Sequence, residues 1–244
     1  VIKLIIKKIK IPTRMAYLIS IGSTVCGTTA IMATAPVIKA NKSEVSYAVA
    51  NITLFGILSM LLYPNFANFY FDGNSLYTGL FLGTAIHETS QVAAAGLIYD
   101  QQFNSPETLN IATVTKLTRN TFLIVMIPLF ALLYNRGITN EKKYSILSIF
   151  PYFVLGFIGM IVLRNSGDEI FSTYMNYNWI EFVDFIKASS KIFLTMAMAA
   201  IGLSTNIKDL KDMGYKPFVV GFVAMITVGI VSILTIEIYL NLFI

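Results

Sequence analysis

Seven apolar stretches, each about as long as a lipid bilayer's core is thick when wound as helix, leave this chain few ways to fold. They run Met15–Ile38, Val45–Tyr63, Leu76–Tyr99, Ile111–Tyr134, Tyr144–Leu163, Lys187–Leu203 and Pro217–Leu242. Hydrocarbon offers no hydrogen bonds, so a spanning segment must satisfy its own backbone, as a helix does within itself. The sequence therefore predicts an all-α, polytopic membrane helix bundle of about seven transmembrane helices. Composition agrees: 56% of the 244 residues are hydrophobic and 13% charged, with a mean hydropathy of +0.70, too apolar for a soluble domain. Nothing between the stretches is long enough to fold separately, so residues 1–244 read as a single transmembrane domain.

Charge placement predicts orientation. Seven crossings that start inside put Lys3, Lys7, Lys8, Lys10, Arg14, Arg136, Lys142, Lys143, Lys208, Lys211 and Lys216 on the cytoplasmic side, and leave Lys39, Lys42 and Arg164 outside. That bias makes the N-terminus of the chain cytoplasmic and gives basic residues a topological role instead of a nucleic-acid footprint. Val1–Lys10 spaces Ile2, Ile5, Ile6 and Ile9 as one helical face between lysines, an amphipathic helix for the inner membrane surface. Its interrupted apolar run does not make a signal peptide.

The only histidine, His87, sits beside Glu88 inside the third stretch. An ionisable group near a bilayer's centre costs roughly 2.5–3.5 kcal/mol on insertion scales. Thr84, His87, Glu88 and Gln91 fall within about 100° on a helix and form a polar stripe, the way a helix lines a cavity. The bland alternative is that His87 and Glu88 satisfy neighbours in a packed bundle. His87-Glu88-Thr89-Ser90-Gln91 fails as a zinc-protease motif, because Gln91 stands where the second histidine is needed and no other histidine exists. A hydrolase triad lacks its base, and the single cysteine, Cys26, has no thiol partner. The sequence therefore predicts no enzyme, no metal and no cofactor.

The first stretch contains Ser23, Thr24, Cys26, Gly27 and Thr28 where a lipid-facing helix should be most apolar. Close helix packing through small residues is one reading; a helix interrupted between Gly22 and Gly27 is the other. Setting Gly22–Ile38 over Gly83–Tyr99 pairs Gly22 with Gly83, Ser23 with Thr84, Thr28 with Thr89 and Ala33 with Ala94. Corresponding glycine-interrupted segments point to a transporter site, with a second interruption near Gly83–His87. With seven crossings, both segments run in the same direction. Lys116, Arg119 and Asn120 share a face of the fourth stretch, roughly 8–14 Å inside its start. Snorkelling to the interface is the alternative for Lys116. Half-helix N-termini, these two cations and the hydroxyls of Ser23, Thr24, Thr28 and Thr84, with Cys26, Gly27 and Gln91, make a substrate site suited to a small anion. His87 and Glu88 are the candidates for proton coupling.

Gly22-Ser23-Thr24-Val25-Cys26-Gly27-Thr28-Thr29-Ala30-Ile31 through Ala35-Pro36-Val37 and Leu82-Gly83-Thr84-Ala85-Ile86-His87-Glu88 through Gln91–Gly96 resemble a family of bacterial inner-membrane proteins designated sulfate exporters. Lys116-Leu117-Thr118-Arg119 with Pro128, and Ala197–Thr205 leading to Lys216-Pro217, match in order and spacing. The resemblance implies a multi-helix secondary transporter of the plasma membrane that exports a small anion, sulfate or an organosulfonate, with the proton coupling through His87 and Glu88 that the residues above suggest. It also implies additional N-terminal helices, so the chain is expected to be the C-terminal two-thirds of such a protein, completed by those helices or by a second copy. The competing expectation is a membrane module or sensor that does not transport, or an inactive transporter fragment.

Overall fold

The computed structural model describes residues 11–123, 125–127, 129–130, 153–172, 177–204 and 215–243. Regular structure among them is helical: α1 (Thr13–Thr24), α2 (Thr28–Thr34), α3 (Lys42–Tyr70), α4 (Ser75–Ala85), α5 (Thr89–Phe103), α6 (Pro106–Thr121), α7 (Phe153–Ser172), α8 (Tyr177–Ser204) and α9 (Lys216–Phe243). The chain is an all-helical membrane protein. Expectations for Val1–Lys10, Asn135–Lys143 and most of Lys208–Lys216 lie outside the described residues. Two compact units divide the chain, one of Val1–Phe150 with Ile207–Ile244 and one of Pro151–Asn206.

In the larger unit, both predicted interruptions are present, and both reverse the chain. Ser75, which opens α4, shares a 2.8 Å hydroxyl contact with Ser105, just beyond α5. A helix merely broken at its middle would hold those residues some tens of ångströms apart; α4 and α5 instead form a hairpin with its tip at Ile86-His87-Glu88. Likewise a Cβ added at Gly22 would lie 2.9 Å from the Ile31 side chain, so α2 folds back along α1 from a tip at Val25-Cys26-Gly27. The expected crossings Met15–Ile38 and Leu76–Tyr99 are therefore corrected to re-entrant hairpins. The within-chain comparison holds to the residue: Thr24 and Ala85 end the first legs, and Thr28 and Thr89 open the second.

Direction is also corrected. From Ser105 at the base of the second hairpin, α6 runs past both tips, and beyond it lies Phe130, whose ring is 6.2 Å from that of Tyr17 in α1. The two hairpins thus enter from opposite ends, and α1 and α4 point toward each other. Each hairpin leads into a long helix, α3 or α6, so the unit holds an inverted pair of hairpin-plus-helix repeats. Lys39 and Lys42, expected opposite Arg14, lie at the same end as Arg14 because the first hairpin returns there. The other end carries Asp72, Asp100 and Glu107, with no lysine or arginine among the described residues of this unit.

Local chemistry sets the boundaries. Asn41 and Glu44 form a capping box at α3, with Asn41 N–H donating to Glu44 Oε2 at 2.8 Å. Asn74 Oδ1 accepts from the backbone of Leu76 and Tyr77 at the start of α4. Asn104 ends α5 in the left-handed region, and Pro106 opens α6. The second apolar stretch is expected to end at Tyr63, but α3 continues to Tyr70 with Pro64 inside it. Among the described residues, α3 and α9 are the helices long and apolar enough to cross a membrane. They run parallel, joined by Asn51 Nδ2 donating to Pro217 O at 2.8 Å and Tyr63 OH to Met225 O at 3.2 Å.

In the smaller unit, Arg164–Ser172, expected as loop, completes α7, with Arg164 and Asp168 paired at 3.0 Å one turn apart. Trp179 stacks on Phe171 at 5.3 Å and donates to Asp168 at 2.9 Å.

Gly79 and Gly83 form a small-residue step on α4 that lets α6 approach closely. A Cβ at Gly83 would stand 2.6 Å from Ala112 O, and one at Gly79 2.7 Å from Ile111 Cβ. Gly83→Val in the full-length protein should lower stability by about 1–3 kcal/mol through overpacking. Thermal unfolding in detergent measures this; an unchanged midpoint would contradict the close approach.

Candidate functional site

The hairpin tips meet beside one turn of α6. Lys116, completely buried, donates from Nζ to Val25 O at 2.9 Å, Ile86 O at 2.8 Å and His87 O at 2.6 Å. Three acceptors call for three N–H groups, so the side chain is held as an ammonium. One turn on, Arg119 donates from Nε to Thr24 O at 2.9 Å, from one terminal nitrogen to Ser23 O at 2.6 Å and from the other to Thr84 O. These carbonyls belong to the last turns of α1 and α4 or to the tips after them. Such groups lack intrahelical partners, and each helix end carries roughly half a negative charge. Two cations from one helix thus bond the carbonyls of two converging C-termini.

The carboxylate completes the pattern with opposite sign. Glu88, at the N-cap position of α5, accepts hydrogen bonds from Thr28 Oγ1 across the junction and from Thr53 Oγ1 of α3 at 3.4 Å. A Cβ at Gly27 would lie 2.5 Å from Glu88 Cγ. Gly27 also has φ +60°, where a side chain is disfavoured, so the first tip needs glycine for both its backbone and its neighbour. Gln91 Nε2 donates to Thr53 O at 3.1 Å, and Asn120 Nδ2 donates to Thr89 Oγ1 at 3.1 Å. His87 is fully buried, and neither ring nitrogen has a hydrogen-bond partner among the described residues.

The predicted site residues thus converge, but in different capacities. Ser23 offers its carbonyl, while its hydroxyl donates to Ile19 O at 2.8 Å. Cys26 is buried in an apolar cluster with Ile21, Val25, Ala30, Leu123 and Ile127. Gly27, Thr28, His87, Glu88 and Gln91 build the tip junction. Thr24, Thr84 and Arg119 instead line a cavity of about 450 Å3 between the end of α1, α4, α6 and α9. Its other walls are Leu80 and, from α9, Thr227, Val228, Val231, Ser232, Thr235, Ile236 and Tyr239.

The family described as Conserved hypothetical protein 698 matches residues 1–221 of this chain. A UPF0324 membrane protein of Fusobacterium nucleatum subsp. nucleatum is 37% identical over 234 residues, covering 93% of the chain and 67% of that relative. The chain belongs to the UPF0324 membrane protein family. Other UPF0324 membrane proteins, from Streptococcus agalactiae serotype V and Clostridium tetani, are 36% and 33% identical over 228 and 242 residues, covering 93% of the chain and 65% and 66% of the relatives. The chain therefore spans about two-thirds of the length of these UPF0324 relatives. No solved structure matches it.

Sequence reasoning about this UPF0324 chain missed Thr53 and the hydroxyls of α9. Thr53 is one of several scattered polar residues in the stretch Val45–Tyr63. Thr227, Ser232 and Thr235 left a usable signal, since all three lie on one half of an otherwise apolar helix.

Lys116→Met would leave three buried carbonyls without donors. The full-length protein should lose roughly 3 kcal/mol or more of stability, given 1.5–3 kcal/mol for each hydrogen bond to a charged group. Denaturant unfolding in detergent measures the loss; wild-type stability would remove Lys116 from its stapling role.

Proposed function

We propose that the full-length protein is a secondary membrane transporter of a small anion, sulfate or an organosulfonate, and that this chain supplies its substrate site. The observation that carries the reading is the charge of the junction and its access to a cavity. Lys116 and Arg119 bring two positive charges, Glu88 brings one negative charge, and His87 counts as neutral. The half-charges of the two helix C-termini are offset by those of the N-termini of α2 and α5 at the same tips, so over the side chains one positive charge remains uncompensated at a depth where charge is costly. Lys116 has no N–H to spare, whereas Arg119 retains one on each terminal nitrogen and lines the cavity. A bound anion meets both requirements.

The inverted repeats support a carrier further. Secondary transporters commonly place their sites where broken helices of two inverted repeats meet near the bilayer midplane. His87 is the proposed proton-coupling group, with Glu88 second: an imidazole buried without partners favours a change of protonation or of neighbour during a cycle. The reading assigns no catalytic step.

Vesicles containing the full-length protein should take up labelled sulfate or methanesulfonate, and Arg119→Ala should abolish uptake. Unchanged transport in Arg119→Ala would sink the anion site. His87→Gln should flatten the pH dependence of transport; loss of rate with an unaltered pH profile would argue against proton coupling.

The proposed orientation has the cationic end that holds Arg14, Lys39 and Lys42 in the cytoplasm of a bacterial inner-membrane protein, a reading supported by the positive-inside tendency. Single cysteines at Lys39 and Asn104, in a Cys26→Ala background, test this with a membrane-impermeant thiol reagent. Asn104→Cys should label in intact cells and Lys39→Cys only after permeabilisation; the reverse pattern would invert the assignment.

A further inference from the structure

Building on the anion reading above, we infer that the cavity selects an organic monoanion, a carboxylate or sulfonate with a short apolar body, over inorganic sulfate. Three features of the cavity carry this.

The first is its supply of donors. Although hydroxyl residues surround it, the protons of its threonines are already spent. Thr24 Oγ1 donates to Ser20 O at 2.6 Å, Thr84 Oγ1 to Leu80 O at 2.6 Å, Thr227 Oγ1 to Val223 O at 2.7 Å and Thr235 Oγ1 to Val231 O at 2.7 Å. A hydroxyl has one proton to give, so these threonines show the cavity acceptors and methyl groups. The Ser232 hydroxyl is in contact with that of Thr84. The two free N–H groups of Arg119 are then the cavity's charged donors, a pair that two oxygens of one acid group can accept together. Inorganic sulfate presents four oxygens that all need donors, and most would be buried without one.

The second feature is charge. The junction carries a net charge of one, which a monoanion cancels and a sulfate dianion overshoots. Burying an uncompensated charge is far costlier than burying a paired one. The third is the wall. Beyond Arg119, Leu80, Val228, Val231 and Ile236 form an apolar surface, and the volume of about 450 Å3 lies in the range of roughly 300–1,000 Å3 typical of small-molecule sites. An acid group on Arg119 leaves that surface for a hydrocarbon body.

The test uses the full-length protein in detergent and reads binding by isothermal titration calorimetry. The probes are alkanesulfonates and alkanoates with hydrocarbon tails of one, three and five carbons, and inorganic sulfate. Affinity should rise about fourfold per methylene, the equivalent of about 0.8 kcal/mol per buried CH2, and the five-carbon tails should outcompete sulfate. The two series distinguish carboxylate from sulfonate heads. Val228→Trp, which shortens the apolar wall without touching Arg119, should reduce the five-carbon ligands to the affinity of the one-carbon ligands. Size-exclusion behaviour verifies that the variant folds. Affinity independent of tail length, or sulfate bound at least as tightly as the five-carbon ligands, would overturn this inference and leave the anion reading standing. Binding of none of these anions would overturn both.

Discussion

Two cations on one turn of α6 hold the ends of two helices that approach from opposite sides. Without Lys116 and Arg119, the carbonyls at the ends of α1 and α4 would face each other unpaired in a medium without water. Two partial negative charges would then repel at close range. The long side chains reach carbonyls on both hairpins at once, so one helix fixes the relative position of two elements that are remote in sequence. The hairpins, their tips and the cavity wall on α4 all inherit their placement from that contact.

The junction is also polarised. The cations serve helix C-termini, while Glu88 sits where α5 begins and beside Gly27 at the entrance to α2. Opposite charges are thus segregated by only a few residues around the same tips. Such an arrangement tolerates ionised groups because each is bonded to the backbone or to hydroxyls. Arg119 is the member with capacity left over, and it is the one that reaches the cavity. A staple and a ligand contact in one side chain would tie the geometry of both hairpins to whatever anion the guanidinium holds, which is how occupancy of a carrier's site can bias its conformation.

Much of this was legible in the chain. Helical class followed from segment length and apolarity, because the bilayer constrains both. The interruptions at Gly22–Gly27 and Gly83–His87 followed from glycine and hydroxyls placed where lipid-facing residues should be. Their shared register followed from a gapless comparison that the helix boundaries reproduce. Convergence of Ser23, Thr24, Thr84, Lys116 and Arg119 was foreseeable because polar groups at membrane depth must find each other. Thr53 was not foreseeable: a single hydroxyl on a helix commonly bonds its own backbone, as Ser59 does with Phe55 O at 2.8 Å.

What the sequence determined by itself was local: which segments are helical, where they break and which residues cannot face lipid. Only the tertiary structure decided that each break is a reversal, that the two hairpins oppose each other, and that the cations bind carbonyls before they bind anything else. The reason is physical. Helix formation and interruption depend on neighbours within a few residues, whereas a chain leaving a broken helix can continue or turn back with the same local composition. What selects between those outcomes is a contact made far along the chain, here the three carbonyls gathered by Lys116 and the close approach of α6 to Gly79 and Gly83.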